Sequence, residues 1–193
     1  PIACSTLVID KSHASSELNE WNRATEAFYS AWIAALFAAP FPENLSLPSL
    51  EPLLRNAEHN FLHNYLGLNE DAGLPLTPDC ADLPYILRSY FAWKMGLPIA
   101  FRACNRGSGN TPPRCSTPTL MTEFTRNPNT PASFTQFSRK LANTVHSGSA
   151  RTGLDDESTD WYPVPLRRDA LWPGTIFADP YGHILVLTEW VPQ

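Results

Sequence analysis

Apolar positions return every third or fourth residue over four stretches of the chain. Leu18, Trp21, Thr25, Phe28, Trp32 and Leu36 draw one face of a long amphipathic helix between Ser15 and Ala39, with Ser15 or Ser16 placed to cap it and Pro40 to end it. After the Pro-rich link from Pro40 to Pro48, Leu50, Leu53, Leu54, Ala57, Phe61 and Tyr65 predict a second helix that stops at Gly67. Leu83, Ile86, Leu87, Tyr90, Phe91 and Lys94 form the stripe of a third, which begins directly after Asp79-Cys80 and ends before Gly96 and Pro98. Pro84 falls in its first turn, where a missing backbone N–H is tolerated. Phe134 to Val145 predicts a fourth helix.

The strand signals come later. Ile99 to Ala103 reads as a short strand, and Asn105 to Asn129 carries the Gly, Pro, Ser, Thr and Asn of a surface loop. Residues 147–163 read as another loop, in which Asp155, Asp156, Glu157 and Asp160 make a solvated acidic cluster. Thr175 to Ala178, the turn Asp179-Pro180-Tyr181-Gly182 and His183 to Trp190 predict a closing β-hairpin. Helices first and strands afterwards is an α+β pattern, not one of alternating βαβ units. The chain is therefore expected to be a single domain over 1–193, with a helical part at 1–67 and a core at 77–193.

Composition narrows the functional classes. Hydrophobic residues are 43% of the 193, enough for a core that needs no metal staple. Only 17% are charged, the net charge is -5, and no basic run is longer than two residues, Arg167-Arg168 being one such pair. A nucleic-acid backbone binder needs a basic face, so no nucleic-acid partner is expected. The longest apolar run, Ala31 to Ala39, is far short of the roughly 20 residues of a membrane helix, so no membrane span is expected.

Chemistry then rests on a few side chains. Cys80 stands at a helix N-terminus, where the helix dipole favours a thiolate; a cysteine is otherwise a small buried hydrophobe, but Asp79 and Asp82 flank this one. His183 heads a strand just after a tight turn, which would aim its ring as a general base. His59 and His63 share a helix face at zinc-site spacing, yet no Glu lies between them and no third His or Cys is near, so a polar helix face is the preferred reading and no metal is expected. Cys104 and Cys115 flank an irregular loop and read equally as a disulfide, which would mean an oxidising, exported or periplasmic location, or as free thiols of a cytoplasmic protein. Cys4 carries no assignment.

Asp79-Cys80-Ala81-Asp82 opening an amphipathic helix, followed later by Pro173-Gly174-Thr175, a tight turn and Gly182-His183 opening a strand, resembles the papain-like superfamily of cysteine hydrolases. The nearest branches are the NlpC/P60 cell-wall peptidases and the bacterial transglutaminase-like proteins. The resemblance implies a cysteine-bearing helix packed on an antiparallel sheet, with Cys80 as nucleophile and His183 as base. It implies acyl transfer at a peptide or other amide bond, cell-wall-like substrates included, without a cofactor. Asp79 matches the residue that reads a substrate amine, although N-capping is an equal role for it. Arg151, in a Gly/Ser-flanked loop, is a candidate for gripping a substrate carboxylate, with an ordinary surface arginine as the alternative.

The likeness covers mainly 77–103 and 172–190. Cys80 and His183 are 103 residues apart, which makes 104–171 an insertion at the cleft. The group that orients the histidine is expected on a following strand. Glu189 lies about 20 Å along its strand from His183, and Asp179, across the turn, is the one candidate within the chain. The expectation is therefore a dyad, a site completed by a further polypeptide segment beyond 193, or an inactive papain-like module used for binding or structure.

Overall fold

The computed structural model describes residues 20–38, 48–74, 76–108, 111, 113–124, 130–179 and 182–190. Its first helix, α1, spans Arg23–Leu36. Asn22 Oδ1 accepts from the N–H groups of Ala24 (2.9 Å) and Thr25 (3.1 Å), while Thr25 Oγ1 accepts from Asn22 N–H at 2.8 Å. This reciprocal box starts the helix at Arg23. Ser15 and Ser16, expected as caps, lie outside the described residues, as does Cys4. Tyr29, Trp32, Ile33 and Leu36 form the buried face.

The predicted second helix is corrected. Only Glu51–Leu54 (α2) is helical, and a run of turns follows. Asparagine side chains compete here with the backbone. Asn60 is fully buried: its Oδ1 accepts from Leu62 N–H (3.1 Å) and Trp32 Nε1–H (2.8 Å), and its amide donates to Leu54 C=O (2.6 Å) and Tyr90 Oη (3.0 Å). Asn64 and Asn69 adopt left-handed backbone at φ 51° and 52°. His59 and His63 thus share no helix face, and no group of three potential metal ligands occurs among the described residues.

The central element is α3, Asp82–Met95, ended by Gly96 at φ 67°. Sequence spacing draws one stripe on it, yet it is buried nearly all round, because α1, the turns at 56–73 and a fourth helix all pack on it. That helix, α4, spans Pro131–Ala142 and begins at Thr130, whose hydroxyl accepts from Ser133 N–H at 3.2 Å. Stacked rings join the layers, Trp32 on Tyr90 at 5.4 Å and Trp93 on Phe134 at 4.5 Å between centroids. Inside the core, Lys94 is ion-paired with Glu70 and with Asp71 at 2.8 Å.

Strand β1, Ala100–Phe101, pairs antiparallel with β2, Thr119–Leu120, in the register Ala100↔Leu120 and Phe101↔Thr119. Its partner comes out of the expected loop. Between the two, Cys104 and Cys115 are joined by a disulfide. Strands β3, Ile176–Ala178, and β4, Ile184–Val186, form the closing hairpin. The architecture is α+β, but the expected single sheet is corrected to two separate two-stranded sheets among the described residues. No helix among these residues is long and apolar enough to cross a membrane.

Candidate functional site

Cys80 owes its place to Asp79. The Asp79 carbonyl accepts from Leu83 N–H at 3.0 Å, and its carboxylate accepts from the N–H groups of Ala81 (2.7 Å) and Asp82 (2.9 Å). Asp79 therefore caps the turn that leads into α3, with one carboxylate oxygen committed to that task, and Cys80 is exposed in that turn. Asp82, in the same turn, is buried. That burial, together with the Asp79 charge, pushes its carboxyl up to about 6.

His183 is exposed at the head of β4. Its carbonyl accepts from Asp179 N–H at 2.8 Å, and Gly182 N–H donates to Asp179 C=O at 3.0 Å, so the backbone of Asp179 closes the hairpin. Pro180 and Tyr181 lie outside the described residues. Among the described residues, neither the Cys80 thiol nor the His183 imidazole has a hydrogen-bond partner.

What links the two segments is a satellite of the core. Ala81, Ala150 and Ile184 are buried in one small cluster, with Trp161, Ile176 and Ala178 packed against it. Ala81 follows Cys80, Ile184 follows His183, and Ala150 precedes Arg151. Ala150 ends a 3-10 turn, Ser147–Ala150. Tyr85 Oη donates to Ser149 C=O at 3.3 Å, tying that turn to α3. On the hairpin side, a Cβ on Gly182 would stand 3.6 Å from Ser147 Oγ.

His146 holds the same turn from the other side, a residue that sequence reasoning passed over. Its Nδ1 accepts from Gly148 N–H at 3.1 Å, so the ring proton sits on Nε2, which donates to Cys104 C=O at 2.9 Å. The disulfide loop is thereby fastened to the turn. The available signal was a histidine directly ahead of a Ser-Gly-Ser turn, a capping position.

A cavity of about 880 Å³ opens beside the cluster, walled by Trp21, Tyr29, Trp161, Tyr162 and Trp172. Arg151 lines it; Cys80 and His183 do not. Arg88, also in the wall, is ion-paired with Glu26 and lies 3.6 Å over the Trp21 ring. Asp160 is corrected from a solvated loop charge to a structural one. Its side chain is 8% exposed and accepts from Arg102 N–H (3.0 Å), Arg102 Nη1 (3.2 Å) and Tyr85 Oη (3.3 Å). Burial pushes its carboxyl above the usual range, against the pull of the Arg102 main-chain N–H and guanidinium.

No family model matches the chain, nor does any curated protein or solved structure.

Proposed function

We propose that this protein is a papain-like, cysteine-dependent acyl hydrolase or acyltransferase acting on amide bonds. Cys80 is the nucleophile and His183 the general base. The observation that carries the reading is the shared burial of Ala81 and Ile184, the residues that directly follow the cysteine and the histidine, in one cluster with Ala150. The residues that follow Cys80 and His183, about a hundred positions apart in sequence, are thus buried in one cluster.

The thiolate attacks the amide carbonyl and the sulfur–carbon bond forms. The carbon–nitrogen bond breaks as the proton held on His183 passes to the leaving amine. Water or a second amine, deprotonated by His183, then attacks the thioester and releases Cys80. Hydrolysis and transamidation differ only in that second nucleophile. The Cys104–Cys115 pair supports an oxidising, exported setting.

Alkylation of Cys80 by iodoacetamide as a function of pH, read by peptide mass spectrometry, tests the pairing. Fast reaction below neutral pH that is lost in His183→Ala supports it. Reaction like a free thiol of pKa about 8.5, unchanged in His183→Ala, removes the enzyme reading. The second reading, a papain-like binding module, is favoured by a different fact: the 880 Å³ cavity is lined by neither Cys80 nor His183.

A further inference from the structure

The charges around the cavity are unevenly matched. Each of its three lining carboxylates already has an arginine: Glu26 has Arg88, Asp160 has Arg102, and Asp169 has Arg167 at 3.3 Å. Two lining arginines, Arg23 and Arg151, have no acidic partner among the described residues. Arg23 is exposed on the first turn of α1. Arg151 is half-buried, and its position is set on its N-terminal side. Its N–H donates to Gly148 C=O at 3.2 Å, and its neighbour Ala150 is held in the cluster with Ala81 and Ile184. An unpaired guanidinium on a hydrogen-bonded backbone, in a cavity also lined by indole and phenol rings, is a fork for a planar anion next to an apolar wall.

We propose that this cavity binds an apolar carboxylate, with Arg151 as the anchoring cation and Trp21, Trp161 and Trp172 contacting the apolar body. At about 880 Å³ it lies near the upper end of the ~300–1,000 Å³ of ligand pockets, room for a short peptide with a free C-terminus or a smaller aryl acid. The site stands on its own geometry, whether or not Cys80 is a nucleophile. If the dyad acts, the same cavity holds the flanking part of its substrate.

The test uses Cys80→Ala protein, so that turnover cannot consume the probe. Binding is followed by tryptophan fluorescence and by calorimetry with three probes: N-acetyl-Ala-Leu-Phe as the free acid, the same peptide as its C-terminal amide, and 4-phenylbutyrate. The expected result is saturable binding of at least one acid. If the peptide acid is the one bound, its amide is weaker by at least about tenfold, the scale of a lost charge-assisted pair. Tighter binding of the peptide acid or of 4-phenylbutyrate tells a peptide terminus from a small acid. Arg151→Gln brings the bound acid down at least about tenfold, and Arg151→Lys recovers part of it. Absence of binding by both acids, equal binding of peptide acid and amide, or an unchanged Arg151→Gln overturns the proposal. Should Arg151→Gln fail to fold by its melting curve, Arg151→Lys and the comparison of acid with amide decide.

Discussion

Gly174 sets its bare α-carbon against the ring of Tyr29, where a Cβ would stand 2.5 Å from Tyr29 Cε1. The ring cannot move aside. Tyr29 is 4% exposed and in edge contact with Phe91 at 5.3 Å and Trp21 at 6.3 Å. Gly174 also has φ 93°, which L side chains rarely adopt, while its N–H donates to Leu187 C=O at 2.7 Å. One residue thus fits the closing hairpin against α1, and both it and Tyr29 line the cavity.

Gly174→Ala should therefore destabilise the fold by about 2–4 kcal/mol, from overpacking and backbone strain together. Urea denaturation followed by fluorescence checks it. A loss below about 0.5 kcal/mol, the usual effect at an unconstrained surface site, would mean that the hairpin is not seated on Tyr29.

Lys94 is the next fixed point, because its ammonium is fully buried between Glu70 and Asp71. Removing the cation alone leaves two buried carboxylates unpaired, so Lys94→Met should cost about 3–5 kcal/mol. Burial by itself would raise the Glu70 carboxyl. The bond from Lys94 and the backbone N–H groups of Leu66 and Leu68 outweigh that and hold it at about 2, against 4.5 for the free group. A folded value below the unfolded one gives stability that is complete above pH 4.5 and is lost as pH falls toward 2. The expected loss is on the order of 2–3 kcal/mol. Urea midpoints from pH 6 to pH 2 should fall less steeply for Glu70→Gln than for the parent, and equal slopes would rule out this carboxylate as the source.

These residues also show what the sequence could and could not reveal. The third helix was legible to within a residue, since Asp79 is a cap residue and Gly96 a left-handed stop, both local signals. The hairpin was legible for the same kind of reason. The second helix was misread because its apolar spacing at Leu50, Leu53, Leu54 and Ala57 is helical. What breaks it is Asn60, whose amide finds Trp32 and Tyr90 some thirty residues away on either side. Asp160 was misread likewise, because Arg102 reaches it across 58 residues. Of the site, Cys80 could be placed from its cap. The cavity could not be seen, since its walls come from α1, the 150–164 loop and the segment leading into β3.

Reduction of the Cys104–Cys115 bridge should act at two places. The bridge closes a short loop, worth about 3 kcal/mol by loop-closure entropy. It also steadies the Cys104 carbonyl that receives the His146 Nε2 proton. A Cys104→Ser/Cys115→Ser chain should lose about 2–3 kcal/mol in urea titration. Hydrogen exchange at Ser149 N–H, which bonds His146 C=O at 2.7 Å, should speed up beyond the global change. Exchange at that amide that tracks global stability alone would show that the disulfide loop and the turn beside Arg151 are not coupled.

Asp82 runs opposite to Glu70 in its response to pH. Burial first, and the Asp79 charge second, raise its carboxyl from 3.8 to about 6. With the folded value above the unfolded one, its contribution is fully present below pH 3.8 and is lost as pH rises through about 6. Asp82→Asn, which stays neutral, should leave stability near the parent's at pH 3.5. It should gain on the order of 1–2 kcal/mol by pH 7.5, discounted from the full shift because the site is only partly shielded. Urea midpoints at pH 3.5 and 7.5 check it. A gain of equal size at both pH values would assign the effect to better packing or capping rather than to the charge.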